Sequence, residues 1–149
     1  MDFSFVSRSV EETIGLGSKF GHQLKGGEII GLWGDLGAGK THFIKGIAAG
    51  VGAEEAQDGV SSPTFVLVKE YTGRLDVYHI DAYRMKSSAE LEMAGFDDYC
   101  YSNSVVVVEW ADKVADLLGQ TEHIRVTLEH AGQMERNVYI DNLPEYIAL

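Results

Sequence analysis

The chain has 149 residues, 45% of them hydrophobic, and a formal charge of −11 from 12 Lys+Arg against 23 Asp+Glu. That length and hydrophobic share suit one domain, residues 1–149, with a sizeable core, and exclude a disordered chain. The charge repels polyanions and excludes direct, tight nucleic-acid binding. No apolar run approaches the ~20 residues that span a bilayer, the first eight residues lack a signal-peptide pattern, and Cys100 is the only cysteine, so a cytoplasmic protein with no membrane role is expected.

In chain order, Asp2 to Ser7 predicts a short strand. Ser9 and Glu12 then form the Ser-x-x-Glu capping pattern at the start of a helix whose buried stripe is Val10, Ile14, Phe20 and Leu24. Within it, Gly15-Leu16-Gly17-Ser18-Lys19-Phe20-Gly21 looks superficially like a dinucleotide fingerprint. Its third glycine is one residue late and no strand leads into the first, so it is not read as one. Lys25-Gly26-Gly27 turns the chain into an apolar strand, Glu28 to Trp33, and that strand runs into Gly34-Asp35-Leu36-Gly37-Ala38-Gly39-Lys40-Thr41.

This stretch fits the phosphate-loop pattern of Gly, four residues and Gly-Lys-Thr. Glycines allow a tight curl in which successive N–H groups face phosphate oxygens. Lys40 brings a positive charge to the β and γ phosphates, Thr41 offers a hydroxyl to Mg²⁺, and the following helix adds its positive dipole end. That helix carries Phe43, Ile44, Ile47, Ala48 and Val51 at helical spacing and stops at Gly50 and Gly52.

Ala53 to Ser62 is polar and acidic and is expected to be a mobile loop. In Ser61-Ser62-Pro63-Thr64-Phe65 the proline biases Ser62 towards extended geometry, and Thr64 is a candidate hydroxyl for a metal or γ-phosphate. Phe65 to Tyr71 and Arg74 to Ile80 predict a hairpin about Thr72-Gly73; Ser87 or Ser88 caps a short helix with Leu91 and Ala94. Ser104 to Val108 is continuously apolar and β-branched, as in a central strand covered on both faces, and ends in Glu109-Trp110. Val114, Ala115 and Leu118 make another helical stripe, and Glu122–Glu129 with Met134–Ile140 a last hairpin about Ala131-Gly132. The order is βαβαββαβαββ. It predicts an α/β, three-layer phosphate-loop NTPase fold with a mixed sheet, in which hairpins add antiparallel strands to a parallel core.

Such sites hold Mg²⁺ with the loop hydroxyl and an acid at a strand end. Glu109, ending the buried strand, is the first choice. Asp81 is second, as a ligand or as the residue that orients water, because its strand alternates and reads as half-exposed and less central. His79 and Asp81 share a strand face, but two residues do not make a zinc site, and no Cys-x-x-Cys or His-Glu-x-x-His completes one. Nothing basic adjoins Cys100, so it is not read as a nucleophile. Lys69, Arg74, Arg84 and Lys86 are the nearest approach to a basic patch and read as a solvated face. Trp33 and Trp110 read as core residues, with Trp110 close enough to Glu109 to report on the site.

Four stretches taken together carry a resemblance: the loop from Gly34 to Thr41, Ser62-Pro63-Thr64-Phe65, His79-Ile80-Asp81-Ala82-Tyr83-Arg84, and Val108-Glu109-Trp110. The chain resembles the TsaE (YjeE) family of small bacterial ATPases in tRNA threonylcarbamoyladenosine synthesis, from the first helix to Trp110. The resemblance implies an ATPase that binds ATP or ADP with Mg²⁺, with Lys40 on phosphate and Thr41 on Mg²⁺. It implies Asp81 and Glu109 in the metal and hydrolysis site, Thr64 in a switch-like loop, and TsaB and TsaD as partners. The nucleotide-binding set it implies is Gly34, Asp35, Leu36, Gly37, Ala38, Gly39, Lys40, Thr41, His42, Thr64 and Trp110, and Lys40 joins the two acids in hydrolysis. His42 departs from the family's usual second threonine, which bears on nucleotide affinity. Little direct tRNA binding is expected, in keeping with the acidic charge. The rivals are a small-molecule phosphotransferase, a GTP switch, which lacks Asn-Lys-x-Asp here, and a non-hydrolysing nucleotide-sensing adaptor.

Overall fold

The computed structural model describes residues 2–35, 37–53, 56–61 and 67–149. Leu36 and Ser62-Pro63-Thr64-Phe65 lie outside them. The strands are β1 (Phe3–Ser7), β2 (Ile29–Trp33), β3 (Ala56–Ser61), β4 (Leu67–Thr72), β5 (Asp76–Asp81), β6 (Ser104–Glu109), β7 (Ile124–His130) and β8 (Arg136–Asp141). They form one sheet in the order β1-β8-β7-β2-β6-β5-β4-β3. β7, β2, β6 and β5 pair in parallel at its centre, while β1 and β8 at one side and β4 and β3 at the other pair antiparallel. This is the expected mixed α/β sheet.

Strand β6 shows why the sheet has two covered faces. All six of its residues are buried, and consecutive side chains point to opposite sides. Val105 and Val107 join a core with α1 (Val10–His22) and α2 (Lys40–Gly50), through Leu16, Phe20, Phe43 and Ile47. Val106 and Val108 join a second core under α3 (Ser88–Met93), α4 (Phe96–Tyr99), a 3₁₀ turn (Ala111–Val114) and α5 (Ala115–Leu118), through Leu91, Phe96, Val114 and Leu118. A polar residue anywhere between Val105 and Val108 would face one core or the other, which explains the unbroken valine run.

Helix α1 is capped as expected, with Ser9 Oγ accepting from Glu12 N–H at 3.1 Å. Its buried stripe is shifted, however. Leu16, Gly17, Phe20 and Gly21 are buried, and Val10 and Ile14 are only half-buried. Two of the three fingerprint-like glycines are packing residues: a Cβ at Gly17 would come within 2.4 Å of Phe43 O and one at Gly21 within 2.5 Å of Ile47 O, both on α2, and from the other side one at Gly46 would come within 2.2 Å of Ile14 O. At the far end of α1, the Arg74 guanidinium donates to the carbonyls of Leu24 (2.6 Å), Gly21 (2.9 Å) and His22 (2.7 Å), satisfying acceptors that a helix end leaves open. Arg74 thus belongs to the scaffold and forms no basic patch with Lys69.

Two expectations need correction. The segment read as a mobile loop contains β3, an edge strand paired to β4 with a register shift between Gln57 and Val60. Edge strands pair on one side only, so the alternating apolar pattern that betrays an interior strand is not required of them. The helical stripe at Val114–Leu118 is a 3₁₀ turn followed by a single α-helical turn, and Ala115 is exposed. Strand β5 lies one place out from β6 and mixes buried with half-buried residues, as expected of a strand less central than β6. Among the described residues no helix is long and apolar enough to cross a membrane.

Candidate nucleotide-binding site

The loop from Gly34 to Gly39 joins the C-terminal end of β2 to the first turn of α2, at the edge where open α/β sheets place ligands. Two glycines are required by geometry. Gly39 takes φ 98° at the N-cap of α2, and a Cβ at Gly34, itself at φ 142°, would meet Leu128 O at 2.4 Å. Ala38 N–H donates to Asp35 O at 3.1 Å, which closes the turn. On the far side, Arg136 of β8 donates from Nη2 to Gly37 O at 3.1 Å and ties the loop to the last hairpin.

Lys40 is only 3% exposed. Its ammonium donates to Gly34 O and to Asp35 O and lies 3.3 Å from the centroid of the Trp110 ring, a cation–π contact. Burial holds its pKa below the ordinary lysine value, against the opposing pull of Glu109, Asp112, Asp35 and Asp81. Trp110 is accordingly half-buried, packed against the edge of the second core rather than inside it. It adopts the left-handed conformation (φ 61°, ψ 47°), uncommon for a large side chain, and its ring also rests on Tyr83 at 4.9 Å. That backbone bend, directly after β6, is what puts the indole face under the lysine.

The two acids sit side by side. Asp81 and Glu109 are registered partners at the ends of the parallel strands β5 and β6. One Asp81 oxygen accepts from Tyr83 N–H at 3.0 Å, and Asp81 is half-exposed. Glu109 is 9% exposed, and its Oε1 lies 2.8 Å from Nε2 of His79, which is 6% exposed. A carboxylate can only accept here, so Nε2 carries the hydrogen, and His79 holds one Glu109 oxygen in place. The His79 Nδ1 is buried with no hydrogen-bond partner.

Two cavities open on these groups. A cleft of about 190 Å³ is lined by the loop from Gly37 to His42, by Ser9, Val10 and Thr13 of the first helix region, and by Glu109, Trp110, Met134 and Arg136. A recess of about 130 Å³ is lined by Thr41, Lys69, His79, Asp81 and Glu109. Thr41 and Glu109 border both cavities. The structure therefore brings Gly37, Ala38, Gly39, Lys40, Thr41, His42, Glu109 and Trp110 to one cleft and adds Asp81 beside it; Gly34 and Asp35 hold the loop behind. His42 lines the cleft, and its Nδ1 is buried and unpartnered.

Sequence reasoning missed several of these residues. His79 was legible in principle, because the strand period of two puts it on the Asp81 face, but nothing local pairs it with a glutamate thirty positions on. Arg136 and Lys69 reach the site through sheet pairing and packing, for which no short-range signal exists. Among the described residues no group of three or more His, Cys, Asp or Glu side chains is arranged to hold a metal. Mg²⁺ at a phosphate loop does not need one, since one or two carboxylates, a hydroxyl and the phosphates themselves complete its shell. An exposed Thr41 beside two strand-end carboxylates fits that donor set.

The family model described as threonylcarbamoyl adenosine biosynthesis protein TsaE matches residues 7–138. This chain belongs to the TsaE family. A TsaE protein of Treponema pallidum is 42% identical over 113 residues, covering 76% of this chain and 82% of that protein. The Bacillus subtilis TsaE protein is 41% identical over 129 residues, covering 86% and 78%. A solved structure described as Bacillus subtilis YdiB superimposes with a TM-score of 0.73 at 31% identity, covering 94% of this chain and 84% of that one. The TsaE match ends at residue 138, part-way along β8, so it includes the Arg136 tether and β7.

Proposed function

We propose that this chain binds ATP with Mg²⁺ and hydrolyses it slowly, as an accessory protein in threonylcarbamoyladenosine formation on tRNA, acting on a TsaB–TsaD complex. The observation that carries the ATPase reading is the convergence of Thr41, Asp81 and Glu109 on one recess next to the loop that holds Lys40. The pathway reading rests on family membership and on the names of the relatives.

In this reading the loop N–H groups and Lys40 grip the β and γ phosphates. The Thr41 hydroxyl and the Glu109 oxygen not taken by His79 are the groups that would hold Mg²⁺. The metal, when bound, neutralises charge that builds on the phosphoryl oxygens. Asp81 orients the attacking water from the neighbouring strand, with one oxygen fixed by Tyr83 N–H. His79 keeps Glu109 from rotating. A phosphotransferase fits less well, because lids that close on an acceptor commonly use arginines, and Arg74 is spent on the end of α1.

The test is a competition titration of ATP against GTP with and without Mg²⁺, followed by turnover with and without TsaB and TsaD. ATP preference, and turnover raised by the partners, are expected. GTP bound as tightly, or an isolated rate equal to the assembled one, rejects the proposal as stated.

A second experiment separates the acids. Glu109→Gln keeps the shape but removes a charge beside a divalent ion, so Mg²⁺ affinity in the nucleotide complex should fall about tenfold or more. Asp81→Asn should spare nucleotide binding and lower turnover, because placing water matters mainly in the transition state. Trp110 fluorescence, read in a Trp33→Phe background, follows binding. Loss of Mg²⁺-dependent binding in Asp81→Asn with none in Glu109→Gln would reverse the two roles.

A further inference from the structure

Lys69 stands in the recess with the two acids, although its sequence neighbourhood marks it only as a surface lysine. The sheet explains how it gets there. Lys69 of β4 is the cross-strand partner of His79 on β5, His79 is registered with Val107 on β6, and Asp81 with Glu109. Registered partners share a sheet face, so Lys69, His79, Asp81 and Glu109 all lie on the side that α2 covers. Thr41, at the start of α2, completes the lining.

The two cavities divide the groups that a nucleotide would meet. The larger cleft holds the loop from Gly37 to Lys40, which grips the β and γ phosphates in the reading above. The smaller recess contains none of the loop glycines and lies on the side of the acids. Thr41 and Glu109 line both cavities, so a terminal phosphate held at the Lys40–Thr41 end of the loop would adjoin the recess. The recess also contains two carboxylates, which repel that phosphate. Lys40 is already engaged by Gly34 O, Asp35 O and the Trp110 ring. Among the described residues no salt bridge forms to Lys69, so its charge is not committed to Asp81 or Glu109.

We propose that Lys69 is the cation that distinguishes triphosphate from diphosphate, contacting the terminal phosphate across the recess from Thr41. The inference rests on the nucleotide-binding reading and adds to it a residue that decides which nucleotide state is held. A half-buried ammonium facing a phosphate oxygen makes a charge-assisted hydrogen bond, whose loss weakens binding about tenfold.

The experiment measures affinities of Mg²⁺ complexes of ADP and of a non-hydrolysable ATP analogue for the unmodified protein, Lys69→Met and Lys69→Arg. Methionine keeps the stem length and apolar bulk and removes the charge. The expected result is that Lys69→Met binds the ATP analogue about tenfold more weakly and ADP within about twofold of the unmodified protein, and that Lys69→Arg retains the preference. Should Lys69→Met not fold, Lys69→Gln replaces it, with the nucleotide-induced rise in thermal midpoint, ATP analogue against ADP, as the readout. Equal weakening of both nucleotides, or no weakening of either, overturns the role of Lys69 and leaves the ATPase reading standing. Failure of the unmodified protein to bind either nucleotide overturns both.

Discussion

Lys40→Ala is expected to bind Mg²⁺·ATP and ADP about 10²–10³-fold more weakly than the unmodified protein, the largest loss of any single change in the site. The reasoning starts from burial. The ammonium is 3% exposed, beside Trp110 and the loop carbonyls, in surroundings where a charge interacts far more strongly than in water. Removing it leaves the phosphates facing Asp35, Asp81 and Glu109 with no direct cation from the loop. Folding should persist, because the α1–α2 core that carries the loop does not depend on the ammonium. A thermal melt alongside the isothermal titration checks this. Binding within threefold of the unmodified protein in a folded Lys40→Ala variant would falsify the phosphate-loop reading itself.

Gly46→Val is expected to lower stability by about 3 kcal/mol, which for a chain of this size corresponds to a fall of roughly 10 °C in the melting midpoint. A Cβ at Gly46 would lie 2.2 Å from Ile14 O, 2.8 Å from Gly17 Cα and 2.9 Å from Ser18 N, all of them backbone atoms that cannot rotate away. The helices would have to separate, and with them the Phe20–Phe43 contact at 5.8 Å. Gly15 on α1 supplies the control. Nothing lies within 4 Å of a Cβ there and the residue is exposed, so Gly15→Ala should stabilise by about 0.5–1 kcal/mol through helix propensity alone. Opposite signs at two helical glycines are the signature expected of close packing. Equal effects at both positions would remove it. Because α2 begins at Lys40, the Gly46 variant should also lose nucleotide affinity where it remains folded.

Some of this was legible from residues alone, because the forces involved are local. The phosphate loop is a contiguous backbone device, so its spacing survives in the sequence from Gly34 to Thr41. The cap at Ser9 and the buried strand from Ser104 to Glu109 follow from a hydroxyl three residues before an amide and from a run of β-branched side chains. The same run pointed to Glu109 as the residue delivered to the ligand edge. Asp81 was marked as a second strand-end acid, and the sheet places it next to Glu109 in register, on the half-exposed strand one place out from β6 that its alternation suggested. What the tertiary structure decided depends on separations that no local pattern encodes. The partner of Glu109 is His79, the support of Lys40 is Trp110, and the tether of Gly37 is Arg136, each set by sheet order or by a backbone bend. Arg74 and Lys69 show the limit most clearly. Both read as members of one solvated basic face, yet one closes the end of α1 and the other faces the acids, because Arg74 stands in the turn between β4 and β5 beside the end of α1, whereas the β4 register sets Lys69 opposite His79.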